Sequence, residues 1–278
     1  MRLAVALMAI SGLAIPLRTG GQTTGPDQTP PAGSPTSAPP QAPEPSPNPQ
    51  PSPAVERPVS WRLLLPNIAG DQKRIWSFPA KVVEGHHWIP TAAILGTTAG
   101  LVALDATEAS YFRHTSTFQG LNGTFTSSAT AIGTIAAPVS LYAIGLIRRD
   151  SKMQRTALLA GEAVADAEIL TTVLKDATNR VRPAGIPAGG NFSDSWFENG
   201  SPLRGSGSFP SGHTIVAFSI ATVIARRYGN HRWVPYAAYG MAALVGFSRL
   251  SLSAHFLSDV FMGGALGYSI SRFAVLRQ

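Results

Sequence analysis

Residues 205–220 read GSGSFPSGHTIVAFSI, a glycine- and serine-rich run that passes at His213 into an apolar stretch. Ser211 is a preferred residue at a helix N-cap, and Gly212 allows a close approach between the backbone and a ligand. A helix N-terminus presents unpaired N–H groups that bind phosphate oxygens. The stretch therefore predicts a helix start that binds an anion beside His213. The alternative is an ordinary capped helix with a surface histidine.

The segments on either side of this stretch predict an all-α fold. Six apolar segments have helical rather than strand length, and alternating strand patterns are absent. A long Gly/Ser/Asn-rich loop is expected from Ala184 to Phe209. We expect a bundle of about six main helices, which cover residues 88–104, 129–147, 156–174, 213–225, 234–247 and 256–270.

Composition limits the class of protein. The 278 residues are 44% hydrophobic and 13% charged, which is enough to bury one sizeable core. The chain has no cysteine, so disulfides, cysteine-ligated metal and an acylated lipoprotein cysteine are excluded. The net charge of +7 suits a phosphate-bearing substrate or an anionic membrane surface. No basic patch is interleaved with aromatic residues, so no nucleic-acid partner is predicted.

The N-terminal part divides into two segments ahead of the folded domain. Residues 1–21 combine a basic start with a short apolar run, which predicts a signal peptide; an uncleaved N-terminal anchor is the alternative. Residues 22–58 hold more than half of the 23 prolines and predict a Pro-rich disordered linker. The folded domain is expected over residues 59–278.

The sequence leaves the relation to the membrane open. Segment 129–147 is uncharged and long enough to span, whereas segment 156–174 carries Glu162, Asp166 and Glu168, which are costly at bilayer depth. The basic connections 148–155 and 226–232 belong in the cytoplasm by the positive-inside rule, which puts the 184–209 loop outside. An exported N-terminus followed by six spans puts that loop inside. We expect an exported chain with a periplasm-facing site, either membrane-embedded or soluble in the periplasm.

A second polar cluster closes the 156–174 segment. Lys175 and Arg182 are seven residues apart, which places them two turns apart on one helical face, and Pro183 is expected to stop that helix. Both cations can then point at one anion. Cations near a helix C-terminus also simply favour the helix dipole, which is the alternative.

A third cluster lies between the last two segments. His255 and Asp259 are at i and i+4 on one helical face, so the carboxylate can orient one ring nitrogen and leave the other as a nucleophile. Arg249 adds a planar fork for phosphate oxygens. A surface contact is the alternative for the His255–Asp259 pair alone.

The three clusters together carry a family resemblance. The motifs K-x6-RP, PSGH and SR-x5-H-x3-D occur in this order between Lys175 and Asp259. The combination resembles the type 2 phosphatidic acid phosphatase (PAP2) superfamily, which includes bacterial non-specific acid phosphatases and vanadium haloperoxidases. The resemblance covers roughly residues 88–278 and implies a PAP2-like domain within residues 59–278.

The resemblance implies a role for each motif residue. His255 attacks phosphorus to form a phosphohistidine, Asp259 orients its imidazole, and His213 protonates the leaving oxygen and then activates water. Three fixed cations and a helix N-terminus agree with the charge that develops on a transferring phosphoryl group. The expected phosphate-binding residues are Lys175, Arg182, Ser211, Gly212 and Arg249.

The expected function is therefore a phosphatase that needs no metal and acts on phosphate monoesters or lipid (pyro)phosphates outside the cytoplasm. No cofactor is expected, although vanadate can bind as a phosphate mimic. The partners expected are a phosphorylated lipid or small phosphate ester and a membrane. The alternatives are a vanadium-dependent haloperoxidase and a non-catalytic envelope protein that binds phospholipid. The loop from Gly185 to Gly207, with Asp194, Trp196, Glu198 and Arg204, is expected to help select the substrate.

Overall fold

The computed structural model describes residues 57–198 and 205–277, and this part of the chain is helical without a strand. The predicted all-α fold is confirmed. A 3₁₀ turn at Pro183–Gly185 lies in the long loop, and a π-helix at Ile270–Val275 follows the last α-helix. The α-helices are α1 (Leu64–Val83), α2 (Trp88–His114), α3 (Gln119–Thr124), α4 (Ser127–Ile147), α5 (Ser151–Thr178), α6 (Gly212–Arg227), α7 (Trp233–Ser251) and α8 (Leu257–Ser269).

The six predicted segments correspond to α2 and α4 to α8. Helix α1 was not predicted, because Asp71, Lys73 and Arg74 interrupt any apolar run along it. The predicted signal peptide and nearly all of the predicted linker lie outside the described residues. Packed structure is already present at Arg57, whose guanidinium contacts α1 and α5.

The core lies between α5, α6 and the π-helix that follows α8. Small side chains on α5 let α6 pack closely against it, and larger aliphatic side chains of α6 and the π-helix fill the remaining space. The buried residues of this cluster are Leu159, Ala160, Ala163, Ala167, Leu170, Ile215, Val216, Ile220, Val223, Ile270 and Val275.

Two glycines bring the backbones of α6 and α8 into contact. A Cβ atom on Gly263 would lie 2.8 Å from the carbonyl oxygen of Ser211, and a Cβ atom on Gly267 would overlap the carbonyl oxygen of Ile215. Small residues four apart permit this kind of close helix crossing. The approach holds the start of α8 beside the start of α6.

The carboxylates of α5 have protein partners. Glu162 accepts hydrogen bonds from Arg57 and from Asn67 (2.8 Å), and Asp166 accepts one from Gln72 (2.9 Å). Both carboxylates are buried beneath α1, while Glu168 is exposed. Burial beneath α1 keeps Glu162 and Asp166 away from the outer surface of the bundle.

Two helices of the described chain, α2 and α4, are long and apolar enough to cross a membrane by length and composition. Only 11% of each candidate span is buried. On α4 the side chains of Ile132, Ile135 and Val139 are each more than 60% exposed. Their apolar faces therefore point away from the bundle.

The α6–α8 contact predicts that an alanine at Gly267, but not one at Gly264, lowers the stability of the fold. Gly267→Ala forces the helices apart and is expected to lower the free energy of unfolding by about 1–3 kcal/mol. Gly264→Ala is the matched control, because a Cβ atom there meets only the Phe218 ring at 3.5 Å, an ordinary contact. Thermal melts of both variants test this; equal melting temperatures would contradict the close approach.

Candidate active site

The polar residues gather at one end of the bundle, where four helices begin or end. Lys175 lies in the last turn of α5, His213 in the first turn of α6, and Arg249 in the last turn of α7. His255 precedes α8, and Asp259 lies in its first turn. The helix ends thus bring the three sequence clusters to one region.

His255 is fully buried and held through one ring nitrogen. Its Nδ1 atom lies 2.8 Å from the carbonyl oxygen of Ser208 and 3.5 Å from a carboxylate oxygen of Asp259. A carbonyl only accepts hydrogen bonds, so Nδ1 carries the proton and Nε2 carries the lone pair. Burial lowers the pKa of His255 against the opposing effect of Asp259, which favours the neutral ring. The ring is therefore prepared as a nucleophile at Nε2.

Asp259 joins α8 to the surrounding loops. Its carboxylate accepts hydrogen bonds from the Ser208 hydroxyl, from Arg180 Nη1 (2.6 Å) and from the backbone N–H of Phe256 (2.9 Å). The predicted placement of His255 and Asp259 on one helical face is wrong, because α8 begins after His255 and Phe256 is its N-cap. The contact instead crosses the start of the helix.

Arg180 was not singled out from the sequence, yet it is the central cation beneath the site. It is 1% exposed and pairs with Asp259 and, through Nη2, with Asp105 of α2 at 2.7 Å. Its guanidinium carbon lies 4.1 Å from the centre of the Trp196 ring and 3.9 Å from that of Phe256. This arrangement exploits the planar, delocalised charge of arginine.

One sequence signal pointed to this pair. Asp105 is a carboxylate directly after the apolar segment 88–104, and a buried carboxylate in such a helix requires a partner. It accepts hydrogen bonds from Arg180 and from the backbone N–H of Ser258 (3.0 Å). Ser208 had no such signal, because its role depends on the path of an irregular loop.

Lys175 and Arg182 converge by a different route from the one predicted. Helix α5 ends at Thr178 because Asn179 adopts the left-handed conformation with φ of 41°, and its N–H closes on the Lys175 carbonyl. Arg182 therefore lies in an extended segment, not on the face of α5. The prediction that Pro183 stops the helix is wrong by four residues.

The charges of these cations act on one another. Burial lowers the pKa of Lys175, and it lowers the pKa of Arg249 to about 10. In both cases the charge of Arg182 is the second cause. Arg182 and Lys175 also help to lower the pKa of His255. Within the described residues, none of these three cations forms an ion pair with a carboxylate. They create a positive region around the buried imidazole.

The start of α6 lies against this positive region. Gly212 is the first residue of the helix, and a Cβ atom there would lie 3.3 Å from Lys175 Nζ, so glycine leaves room for the ammonium group. Ser211 occupies the N-cap position, but its hydroxyl bonds the Thr214 hydroxyl at 2.8 Å and does not cap a backbone N–H. The Ser211 N–H donates to the carbonyl of Asp259 at 3.0 Å.

His213 and Arg249 are both anchored at the start of α4. His213 Nε2 donates to the carbonyl of Ser127 (3.1 Å), and Arg249 Nη2 donates to the carbonyl of Phe125 and the hydroxyl of Thr130. Nη1 of Arg249 makes only a longer contact, 3.3 Å to the Ser127 hydroxyl. Nη1 is therefore the guanidinium nitrogen best placed to serve an anion.

The loop expected to select substrate is only partly described, since Arg204 lies outside the described residues. The Trp196 ring lies against the Arg180 guanidinium and contacts the Phe209 ring at an interplanar angle of 57°, so it helps to hold Arg180 in place beneath the site. Asp194 and Glu198 line a cavity of about 350 Å³ with the 3₁₀ turn. Across residues 57–198 and 205–277, no group of three or more histidine and carboxylate side chains is placed to hold a metal ion.

Comparison with known proteins identifies the class of fold and site. Residues 156–278 match the model of the PAP2 superfamily. This range contains Lys175, Arg182, His213, His255 and Asp259, so the match falls on the residues gathered above. The similarity to the PAP2 superfamily therefore covers the part of the chain that supplies these residues.

Two curated relatives are similar over parts of the chain. Lipid A 1-phosphatase of Porphyromonas gingivalis is 43% identical over 61 residues, which cover 22% of this chain and 14% of the relative. Phosphatidylglycerophosphatase B of Bacillus subtilis is 36% identical over 107 residues, which cover 36% of this chain and 46% of the relative. The matched regions span less than half the length of each relative.

A solved structure is also similar, that of a transmembrane PAP2-type phosphatidylglycerolphosphate phosphatase from Bacillus subtilis. It is 24% identical, with a TM-score of 0.34, and the match covers 64% of this chain and 93% of the other.

The charge around His213 predicts an unusual titration. Burial is the largest cause, and the positive charge of Arg249 the second, of the lowering of the pKa of His213 to about 4. The ring is therefore neutral at pH 7 when no phosphate is bound. A bound phosphate offsets the cations and is expected to raise this pKa. Histidine ring signals in NMR spectra, assigned with His213→Asn, test both statements. A midpoint near pH 6.5 that phosphate leaves unchanged would contradict them.

Proposed function

We propose that the chain is a phosphatase that hydrolyses lipid phosphates, and more generally phosphate monoesters, through a phosphohistidine intermediate. The observation that carries the proposal is the state of His255. Its Nδ1–H is donated to Ser208, its Nε2 carries the lone pair, and the cations that affect its pKa include Lys175 and Arg182. A neutral nucleophile beside uncompensated cations suits attack on an anionic phosphorus centre.

In the first step, His255 Nε2 attacks phosphorus while the bond from phosphorus to the leaving oxygen breaks. His213 donates its proton to that oxygen. The imidazole of His255 becomes cationic when the N–P bond forms, and the Asp259 carboxylate 3.5 Å from Nδ1 stabilises this charge. Arg180 keeps Asp259 ionised and in position.

In the second step, the now neutral His213 takes a proton from water. The water oxygen attacks phosphorus and the N–P bond breaks. The electron pair of that bond returns to Nε2 of His255, and inorganic phosphate leaves. The chemistry assigns no step to a metal ion or cofactor. Vanadate, which mimics phosphate, is expected to occupy the same site and to inhibit.

The non-bridging phosphate oxygens are assigned to the surrounding cations and the α6 N-terminus. These groups suit the transition state because its charge spreads over those oxygens. The Ser211 hydroxyl bonds Thr214, so the start of α6 is proposed to act through its backbone N–H groups. The residues of this set are Lys175, Arg182, Ser211, Gly212 and Arg249.

A phosphorylated lipid is the proposed substrate class, and the bundle is proposed to lie in the membrane. Both curated relatives are named as phosphatases of lipids, and the outward faces of α2 and α4 are apolar. A membrane-embedded bundle would meet a lipid headgroup at its end, where the site lies.

We further propose that the site faces the extracytoplasmic side. The basic connections that follow α4 and α6, at Arg148–Arg149 and Arg226–Arg227, lie at the ends of these helices opposite the site. The positive-inside rule places such connections in the cytoplasm. The same orientation places the start of the described chain on the cytoplasmic side. A cleaved export signal would place it on the other side, so this proposal disagrees with that expectation.

The direct test is phosphate release by purified chain from phosphatidic acid, phosphatidylglycerol phosphate and an aryl phosphate, with and without EDTA. His255→Ala is expected to lower the rate by a factor on the order of 10⁴ or more. His231→Ala, an exposed histidine between α6 and α7, is the matched control and keeps the rate. Intact cells are expected to hydrolyse an impermeant aryl phosphate.

Four results would overturn parts of the proposal. Full activity in His255→Ala rejects the nucleophile. Halide oxidation with vanadate and peroxide, without phosphate release, indicates a haloperoxidase. Phospholipid binding without any phosphate release indicates a non-catalytic envelope protein. Hydrolysis of the impermeant ester only after lysis places the site in the cytoplasm.

A further inference from the structure

Helix α1 has its carboxylate and its amide side chains turned inward. Asp71 is fully buried and accepts two hydrogen bonds from Arg57, at 2.6 and 2.7 Å. Asn67 donates to Glu162 of α5, and Gln72 donates to Asp166 of α5. The face of α1 that packs on the bundle is thus held by a buried polar network.

A second face of α1, which borders the bundle-facing side at Gln72, is apolar and uncovered in the described chain. At about 100° per residue, five side chains fall within an arc of about 60° along the whole helix. Three of these side chains are large, and they are 79%, 46% and 89% exposed at Leu65, Trp76 and Val83. This apolar stripe consists of Leu65, Ala69, Trp76, Ala80 and Val83.

Exposed cations fill the sector between the apolar stripe and the bundle. Lys73, Lys81 and Arg74 lie at about 80° to 180° from Leu65 around the helix. Arg62 precedes α1 and is also exposed, whereas the exposed acidic residue of this region is Glu84. The surface of the helix therefore has three sectors: one packs on the bundle, one is apolar and exposed, and one is cationic and exposed.

The ends of α1 carry residues typical of a membrane interface. Trp61 and Trp88 flank the helix and are 64% and 58% exposed. Tryptophan favours the level of the lipid headgroups, since its ring is apolar and its N–H is polar. Trp88 is also the first residue of α2, one of the two candidate spans. The C-terminal end of α1 is therefore joined, through residues 84–87, to a helix that is long and apolar enough to span a membrane.

The C-terminal end of α1 lies far from the candidate active site along α2. Trp88 begins α2, and Asp105, which bonds Arg180 and Ser258 beneath the site, comes 17 residues later. At 1.5 Å per residue the separation is about 25 Å. The basic connections after α4 and α6 lie at that same distant end of the bundle.

We propose that α1 lies along the surface of an anionic bilayer, with its apolar stripe in the lipid and its cations at the headgroups, at the end of the bundle away from the site. Lysine and arginine near an anionic leaflet add attraction to the apolar contact. The charge of α1 itself excludes it from the candidate spans. The proposal concerns attachment and does not depend on the phosphatase chemistry.

The absence of cysteine makes a labelling test clean, because each introduced cysteine is unique. Nitroxide labels are placed at Ala69→Cys and Val83→Cys on the apolar stripe and at Arg74→Cys in the cationic sector as the control. All three positions are exposed, and a thermal melt confirms that each labelled chain is folded. The full chain is reconstituted in vesicles of phosphatidylglycerol and phosphatidylcholine.

The labels on the stripe are expected to collide with oxygen more than with a water-soluble nickel chelate, at a depth of about 5–10 Å. The Arg74→Cys label is expected to show the reverse. In vesicles of phosphatidylcholine alone, the nickel accessibility of the stripe labels is expected to rise.

Three results would overturn the proposal. Nickel accessibility of the stripe equal to that of the control shows that the face is in water. Shielding from both reagents with spin–spin coupling shows a second copy on the stripe. Shielding from both without coupling shows that another segment of the same chain, such as residues 1–56, covers it.

Discussion

The close approach of α6 and α8 determines the geometry of the whole site. Gly263 and Gly267 let the α8 backbone touch the carbonyl oxygens of α6. The N–H of Ser211 thereby reaches the carbonyl of Asp259, so the first turns of the two helices are joined directly. His213 follows one of these residues by two positions, and His255 precedes the other by four. His255 itself precedes α8 and is held by the carbonyl of Ser208, so the spacing between the two histidines depends on both the helix packing and this loop contact.

Around this junction the charges form two separate systems. The inner system is neutralised, because Arg180 pairs with both Asp105 and Asp259 in a fully buried setting. The outer system holds Lys175, Arg182 and Arg249, which within the described residues have no carboxylate partner. Removing one partner from a buried pair is costly, so the inner system keeps Asp259 fixed. The outer system retains its positive charge for an anionic ligand.

Much of the site was predictable from sequence because its residues lie at helix ends. Apolar runs gave the six long helices, and glycine, serine and proline marked the start of α6 near His213. The local geometry was less predictable. The left-handed Asn179 ends α5 early, and the start of α8 falls between His255 and Asp259, so neither predicted helical face exists. Both pairs still converge, since the loops replace the assumed helical turns.

The residues missed were those whose function depends on distant partners. In the sequence, Arg180 does not differ from other cations near a helix end. Only the tertiary structure shows that Asp105 lies beside it. Helix α1 was missed because charged residues interrupt its apolar positions and because Asp71 is buried while an apolar stripe is exposed, unlike the usual pattern of a helix in a soluble protein. A pattern search for an inward apolar face does not detect such a helix.

The most direct test of this account is whether the reaction passes through phosphorus bonded to His255. Purified chain is mixed with a radiolabelled phosphate ester that it hydrolyses, quenched within one turnover, and the labelled peptide is mapped. The account predicts a base-stable, acid-labile phosphoryl group on His255 and, with a chiral phosphate ester, retention of configuration at phosphorus. Turnover without a labelled histidine and with inverted configuration would contradict it.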